Sequence, residues 1–187
     1  MERNYSKGFT LIELMVCFAL AAILAGYAIP TMQGMLKRSQ GTAAINWLVG
    51  SVAYTRNAAI TFDTYVTICP SSDGHHCGGA WHDGTIVFTD ANLDHRIDGD
   101  DTLLRRFTYP LAGGTITWRA FQNRHYLQMT GIGYTHFQNG NFVYCPDNGD
   151  LHYAEQLVIN IQGRAKTSVD INGDGLVEDR YGHHLRC

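Results

Sequence analysis

The sequence lacks the short motifs that mark the common classes of enzyme. It contains no glycine-flanked serine of the nucleophile-elbow type, no phosphate-cradling glycine loop and no HExxH helix. Serine, histidine and aspartate are plentiful, but none of them stands in such a pattern. We therefore predict a protein that is not an enzyme.

An excess of positive charge is also missing. The chain has 14 Lys and Arg against 17 Asp and Glu, a net charge of -3, so any nucleic acid or anionic lipid must be held by a local patch. There is no internal repeat, low-complexity segment or interdomain linker. At 187 residues and 45% hydrophobic content, we expect one globular domain with an appendage.

Charge is nearly absent from residues 9–29, FTLIELMVCFALAAILAGYAI, where Glu13 is the only charged residue. About 20 apolar residues are enough for a helix to cross a bilayer, so this segment is predicted to be a transmembrane helix. Arg3 and Lys7 precede it, which favours a cytoplasmic N-terminus and places the rest of the chain on the other side.

The start of this segment carries a compound motif. Residues 1–8 form a short basic leader that ends in Gly8, Phe9 follows, and Glu13 is the fifth residue after the glycine. An ordinary secretory signal would end in a small-residue cleavage site, but residues 25–26 run directly into a helical pattern. The stretch KGFTLIE, residues 7–13, resembles the type III signal of type IV pilins and type II secretion pseudopilins.

This resemblance implies processing and assembly. A prepilin peptidase would cut between Gly8 and Phe9 and methylate the new amino group of Phe9. A carboxylate in hydrocarbon is costly unless it has a partner, and in this family the partner of Glu13 would be the N-terminal amine of a neighbouring subunit. A single-span anchor with an incidental glutamate is the simpler alternative.

Residues 30–62 are predicted to continue the helix as an amphipathic segment. Pro30 removes a backbone donor and is expected to bend or locally unwind the helix. Apolar residues at three-to-four spacing then form a stripe that should cover a globular head. The predicted stripe consists of Met32, Met35, Leu36, Ala43, Trp47, Leu48, Val52, Ala53, Ala59 and Ile60.

Residues 63–187 are predicted to form a β-rich head. Short runs rich in β-branched and aromatic residues alternate with Gly, Asn and Asp clusters, and they are TYVTIC, TIVFT, LLRRFTY, TITWRAF, NFVYC and QLVINI. A long N-terminal helix followed by such strands indicates an α+β protein in which the helix packs on an antiparallel β-sheet.

The order of several segments resembles the FimT/FimU minor pilins and the related minor pseudopilin GspH. The segments are AYTRNAAITFDTYVTICPSSDGHHC, Trp81, GTIVFTDANLDHRIDGDDTLLRRF, NGNFVYCPDNGD and QLVINIQGRAK. The resemblance implies a pilin-like fold with a head of the GspH type. It implies a bacterial inner-membrane precursor with one span and a periplasmic head, which then joins the pilus near its tip and primes assembly.

The partners implied are other minor and major pilins, the prepilin peptidase and the inner-membrane assembly platform. A GspH-like role in type II protein secretion is an alternative that the sequence leaves open.

Cysteine usage agrees with a periplasmic head. Cys17 lies in the predicted span, which leaves Cys69, Cys77, Cys145 and Cys187 outside it, and an even number suits an oxidising compartment. Three connectivities are possible for four cysteines. We predict that Cys69 pairs with Cys77 and that Cys145 pairs with Cys187.

The segment CPSSDGHHC, residues 69–77, also permits a zinc site, because two thiolates and two imidazoles are ligands that zinc prefers. Adjacent His75 and His76 rarely both reach one ion, and the usual short Cys spacing is absent. His183 and His184 raise the same question. We favour solvated surface histidines in both places.

Two acidic loops match the start of a calcium-binding loop. In DINGDG, residues 170–175, Asp170, Asn172 and Asp174 have the spacing of calcium ligands, although Tyr181 stands where a bidentate Glu is expected. Calcium is thus a possible cofactor, and an Asx-rich turn is the alternative.

Residues 90–101, DANLDHRIDGDD, are the second such loop. Here Asp90, Asn92, Asp94, Asp98 and Asp101 offer oxygens at similar spacing. His95 replaces the glycine of the sixth position, which weakens the case for an ion.

A local basic pair raises the possibility of DNA binding. Some FimT-type pilins bind DNA through a GRxR motif, and residues 163–166 read GRAK. Lys166 in place of the second arginine keeps the charge but loses the planar fork. Nearby acids would repel phosphate, so Arg164 and Lys166 as surface residues of a β-turn form the simpler interpretation.

Overall fold

The computed structural model describes residues 8–187, which fall into two compact units that divide between Arg38 and Ser39. A single helix, α1 (Leu11–Phe62), passes from the first unit into the second. It is unbroken through Pro30, so of the two predicted effects of this proline, a bend or a locally unwound turn, the unwound turn is wrong. Helix α1 begins at Leu11 because Thr10 and Glu13 exchange hydrogen bonds that cap its N-terminus.

The first unit is the apolar part of α1. Its most apolar 18-residue window has a mean hydropathy of 2.2, and no residue of that window is buried. By length and composition this helix can cross a membrane. Met32, Met35 and Leu36 are each more than 60% exposed, so they do not belong to the stripe that covers the head.

In the second unit, one face of α1 is buried at three-to-four spacing. The buried residues are Gly41, Ala44, Ile45, Leu48, Ser51, Val52, Thr55, Ala58 and Ala59. The predicted stripe is wrong at Ala53 and Ile60, which are exposed. The prediction also missed six buried residues, and all of them except Ile45 are small. Their size allows close approach, since a Cβ on Gly41 would lie 3.1 Å from the Tyr153 carbonyl oxygen.

Eight strands follow α1: β1 (Val66–Pro70), β2 (Thr85–Thr89), β3 (Leu103–Phe107), β4 (Thr115–Ala120), β5 (Leu127–Met129), β6 (Gly140–Cys145), β7 (Glu155–Ile159) and β8 (Ala165–Thr167). They form two four-stranded antiparallel sheets. The first sheet has the order β3-β2-β1-β5 and the second β4-β6-β7-β8.

The α+β class is therefore confirmed, but the head contains two sheets where one was predicted. All six predicted strands exist. The runs at residues 64–69, 103–109 and 156–161 were drawn up to two residues too long at one end. Strands β5 and β8 were missed because three residues are too few for a period-two pattern.

One core joins α1 to both sheets. Ile45, Leu48 and Val52 of the helix belong to the same buried cluster as residues of β1, β4, β5, β6 and β7. Trp118 and Phe142 are cross-strand partners on its inner face, with ring centroids 4.2 Å apart. The inner face of the second sheet is thus aromatic and packed, whereas its opposite face is partly covered by the C-terminal segment, where Leu185 packs with Val143.

Candidate functional site

The start of α1 is organised by a reciprocal pair of hydrogen bonds. The Glu13 backbone N–H donates to Thr10 Oγ1 at 3.3 Å, and the Thr10 backbone N–H donates to Glu13 Oε2 at 3.4 Å. This is a capping box, in which two helix-terminal N–H donors are satisfied. The T-x-x-E spacing of Thr10 and Glu13 is the sequence signal for a capping box, and the prediction of a partner amine for Glu13 did not take it into account.

The same carboxylate remains available to an outside cation. Among residues 8–187, no basic side chain forms an ion pair with Glu13. Gly8 and Phe9 precede the first turn, and the Phe9 side chain is 87% exposed. A carboxylate at a helix N-terminus next to an accessible peptide bond can therefore receive an amine and can be reached by a processing enzyme.

Both disulfides join the cysteines that we paired from the sequence. Cys69 bonds to Cys77 and Cys145 to Cys187, with Cα–Cα distances of 5.5 and 5.6 Å. The zinc interpretation of residues 69–77 is wrong, because both of its sulfurs are in the disulfide. His76 Nδ1 instead lies 2.8 Å from Asp73 Oδ2.

The loop of residues 170–175 folds as a series of Asx turns. Asp170 accepts backbone N–H groups of Gly173 at 2.6 Å and Gly175 at 2.8 Å, one on each carboxylate oxygen. Asn172 Oδ1 accepts the N–H of Asp174 at 2.8 Å. The oxygens counted as calcium ligands are thus occupied by the turn's own backbone, which favours the Asx-turn interpretation.

A different set of donors converges beside this loop. Ligand atoms of Asp174, Glu178 and His184 lie within 4.8 Å of one another. Hydrogen bonds, first that of the Leu176 backbone N–H, lower the pKa of Asp174, and its Oδ2 lies 3.0 Å from His184 Nε2. Because one donor is an imidazole nitrogen, this set does not match the all-oxygen shell that calcium prefers.

The second acidic loop holds a buried carboxylate. Asp90 is fully buried and its Oδ2 accepts Thr67 Oγ1–H at 2.7 Å, Gln128 Nε2–H at 2.7 Å and the His95 ring at 3.0 Å. His95 has φ +63°, so it adopts the left-handed conformation that glycine supplies in calcium loops. Asp90 is therefore held in the interior by hydrogen bonds, and one oxygen each of Asp90, Asp94 and Asp101 lie within 4.8 Å of one another.

This polar network extends further and was missed by the sequence analysis. His136 Nδ1 donates to Gln128 Oε1 at 2.8 Å, and the Gln128 backbone N–H donates to Gln138 Oε1 at 2.9 Å. Burial and the charge of Arg124 lower the pKa of His136. The network fixes the loop after β2 to strands β1 and β5.

The basic pair Arg164 and Lys166 is split between two elements. Arg164 lies in the turn between β7 and β8, where its backbone N–H donates to Asn160 Oδ1 at 2.9 Å. Lys166 lies in β8, not in a turn, and is the cross-strand partner of Val158. Both residues are exposed.

Lys166 belongs to a row that crosses the second sheet. Successive cross-strand partners are Arg119, Asn141, Val158 and Lys166, on the face opposite Trp118 and Phe142 because side chains alternate along a strand. We call this the outer face. The C-terminal segment, residues 179–186, borders it and forms one side of a groove of about 840 Å³.

The comparisons with known proteins agree with this geometry. The family model described as prokaryotic N-terminal methylation motif matches residues 3–29, which defines a pilin-type N-terminus. The model described as type II transport protein GspH matches residues 44–163, more than half of the chain. The chain belongs to the GspH family, and it is a type IV pilin-like protein of the GspH/FimT/FimU type.

Similar structures and relatives support the fold and the N-terminal class. Two crystal forms of the type IV minor pilin FimU of Pseudomonas aeruginosa are similar in fold, each at 19% sequence identity. The first has a TM-score of 0.57 over 72% of this chain, and the second has a TM-score of 0.51 over 68%. Each alignment covers 92% of the FimU chain. Fimbrial protein EcpC of Eikenella corrodens is 48% identical over 46 residues, and fimbrial protein Q of Moraxella bovis 47% over 45. These alignments span about a quarter of this chain and 30% and 29% of the relatives.

Proposed function

We propose that the protein is a minor type IV pilin, inserted in the bacterial inner membrane with a periplasmic head. A prepilin peptidase cleaves it between Gly8 and Phe9 and methylates Phe9. It then joins other minor and major pilins near the pilus tip through the inner-membrane assembly platform and primes assembly. Its role is structural and not catalytic.

The start of α1 is the observation that carries this proposal. Glu13 stands at the N-terminus of a helix whose apolar window is fully exposed, and no basic side chain of residues 8–187 pairs with it. A carboxylate in hydrocarbon is expected to have a partner. The methylated amine of a neighbouring subunit would supply that partner when the helices pack together.

The capping box makes a sharp test possible. Glu13→Gln preserves a residue that serves a capping box but removes the charge, whereas Thr10→Ala removes the capping hydroxyl and keeps the charge. We expect Glu13→Gln to abolish pili and co-purification of other minor pilins as fully as Glu13→Ala does, and Thr10→Ala to leave most assembly intact. Normal pilus numbers in Glu13→Gln would contradict the charge-pair role.

Processing is tested separately by the intact mass of the mature protein. We expect a mass that lacks residues 1–8 and carries one added methyl group, and we expect Gly8→Ala to retain the leader. A mature wild-type protein that still begins at residue 1 would instead indicate a simple membrane anchor.

A second candidate function is favoured by the GspH match itself, since that model is described as a type II transport protein. In that case the chain would be a minor pseudopilin of a secretion system. Deletion of the gene separates the two: loss of surface pili with normal secretion supports the minor pilin, and the reverse supports the pseudopilin.

A further inference from the structure

The groove on the outer face carries more positive than negative charge. Arg119 and Lys166 stand at the two ends of its cross-strand row, and Arg180 and Arg186 lie on the C-terminal segment that borders the groove. Within residues 8–187, none of these four side chains forms an ion pair with a carboxylate. Three of these cations, Arg119, Arg180 and Arg186, line the groove, and the lining contains one carboxylate, that of Asp179.

Asp179 offsets part of this positive charge. Its carboxylate accepts the backbone N–H groups of Tyr181 at 2.7 Å and His183 at 3.0 Å, so its position is fixed by its own turn.

The opposite imbalance occurs in the loop between β2 and β3. Its acids Asp94, Asp98 and Asp100 are exposed, and Arg96 is its single Lys or Arg. The carboxyls of Asp94 and Asp98 are crowded, since a hydrogen bond and repulsion from Asp94 raise the pKa of Asp98. We call residues 91–101 the acidic loop.

The two charged surfaces belong to different sheets. The acidic loop connects two strands of the first sheet, and the groove lies on the outer face of the second. No ion pair joins them within residues 8–187. Two complementary surfaces at different places on one subunit make a head-to-tail contact, which repeats into an open helical assembly when it does not close into a ring.

We propose that the acidic loop of one copy docks in the outer-face groove of a second copy, which Arg119, Arg180 and Arg186 line. A loop with three exposed carboxylates is complementary in charge to a groove lined by three arginines and one carboxylate. An extended polyanion such as duplex DNA would also meet the exposed Asp174 nearby. The contact involves only the heads and goes beyond the proposed tip role, so it can fail while that role holds.

The test uses the full chain, with one copy in each nanodisc, so that the membrane helices are kept apart and only the heads can associate. The groove variant is Arg119→Gln with Arg186→Gln, and the loop variant is Asp94→Asn with Asp98→Asn. We expect wild-type discs to associate at low salt. Discs of either double variant should associate with one another about tenfold more weakly or worse. Salt at 0.5 M should weaken the wild-type association, because the screening length is then only about 4 Å.

Mixing the two variants gives the decisive result. Each variant retains the half of the contact that the other lacks, so the mixture should form 1:1 pairs and no larger species. Arg105→Gln with Arg164→Gln makes the same charge change outside the groove lining and should associate as the wild type does.

Three results would overturn the proposal. They are wild-type discs that stay single at low salt, a mixture of variants that stays apart, and duplex DNA that binds the wild type but not the groove variant while the discs remain single. The last result would assign the groove to nucleic acid.

Discussion

Glu13 has two separable roles at the start of α1. Its carboxylate accepts the Thr10 N–H, as the third helical residue of a capping box does, and its charge can also pair with an amine. The cap means that the carboxylate has a hydrogen-bond donor before any subunit arrives. In the proposed assembly, the advantage of docking would therefore come from the charge of the incoming amine, and not from rescue of an acid that has no donor.

Asp90, which the sequence suggested as a calcium ligand, has a structural role in the head. Its side chain is fully buried, and three separate parts of the chain supply its donors. Buried charges are tolerated when such donors surround them. This carboxylate therefore fixes the base of the acidic loop to the interior, while Asp94, Asp98 and Asp100 of that loop are exposed to solvent.

His136 makes the stability of this network depend on pH. Burial lowers its pKa in the folded head below the ordinary value of 6.5, so the unfolded chain binds a proton more readily as pH falls through that value. Stability should thus be complete above about pH 7 and decrease toward pH 5. Denaturant unfolding at several pH values should show a smaller loss for His136→Gln than for the wild type.

The exposed His125 supplies the control. His125→Gln should leave the pH dependence as it is in the wild type. Equal pH profiles for the wild type and His136→Gln would show that the acid sensitivity comes from other groups that face this ring, such as His95 and Asp90.

At the scale of elements, sequence patterns predicted the features that depend on residues close together in the chain. The N-terminal motif, six strands and both cysteine pairs could be predicted because each depends on neighbouring residues or on a small set of possibilities. Strands β5 and β8 could not, since each has only three residues and is defined by its partner strand.

The polar network was equally invisible in the sequence, because it brings together residues far apart in the chain. Gln128 bonds to Thr67 across 61 positions. The stripe on α1 failed at Ala53 and Ile60 for a related reason. Which small residues are buried depends on the shape of the sheets beneath, and hydropathy alone does not record that shape.

The two disulfides should stabilise the head unequally. Cys145–Cys187 links residues 42 positions apart and Cys69–Cys77 residues 8 apart. In the chain-entropy model, these loops correspond to about 4 and about 2.5 kcal/mol. Replacing the exposed partner in each pair, by Cys187→Ser and Cys77→Ser, should therefore lower the free energy of unfolding more in the first case.

Denaturant unfolding of both variants under oxidising conditions measures this difference. Reducing the wild type removes both bridges and should cost more stability than either variant. A Cys77→Ser variant that loses as much as Cys187→Ser would contradict the loop-length explanation and point to local packing of the sulfur atoms.

At the scale of the whole molecule, stability and membrane insertion reside in different units. Both sheets, both disulfides and the buried face of α1 belong to residues 39–187. The apolar window that can cross a membrane has no buried residue. The first unit therefore contributes nothing to the core, and its apolar surface is free for lipid or for other helices.

It follows that residues 39–187, exported to the periplasm without the first unit, should fold by themselves. They retain every residue of the main buried cluster, and a core of this extent suits a domain of about 150 residues. We expect a soluble protein with both disulfides formed and one cooperative unfolding transition, whose midpoint lies within a few degrees of that of the full chain in detergent. A product that aggregates or unfolds without cooperativity would show that the first unit takes part in the fold.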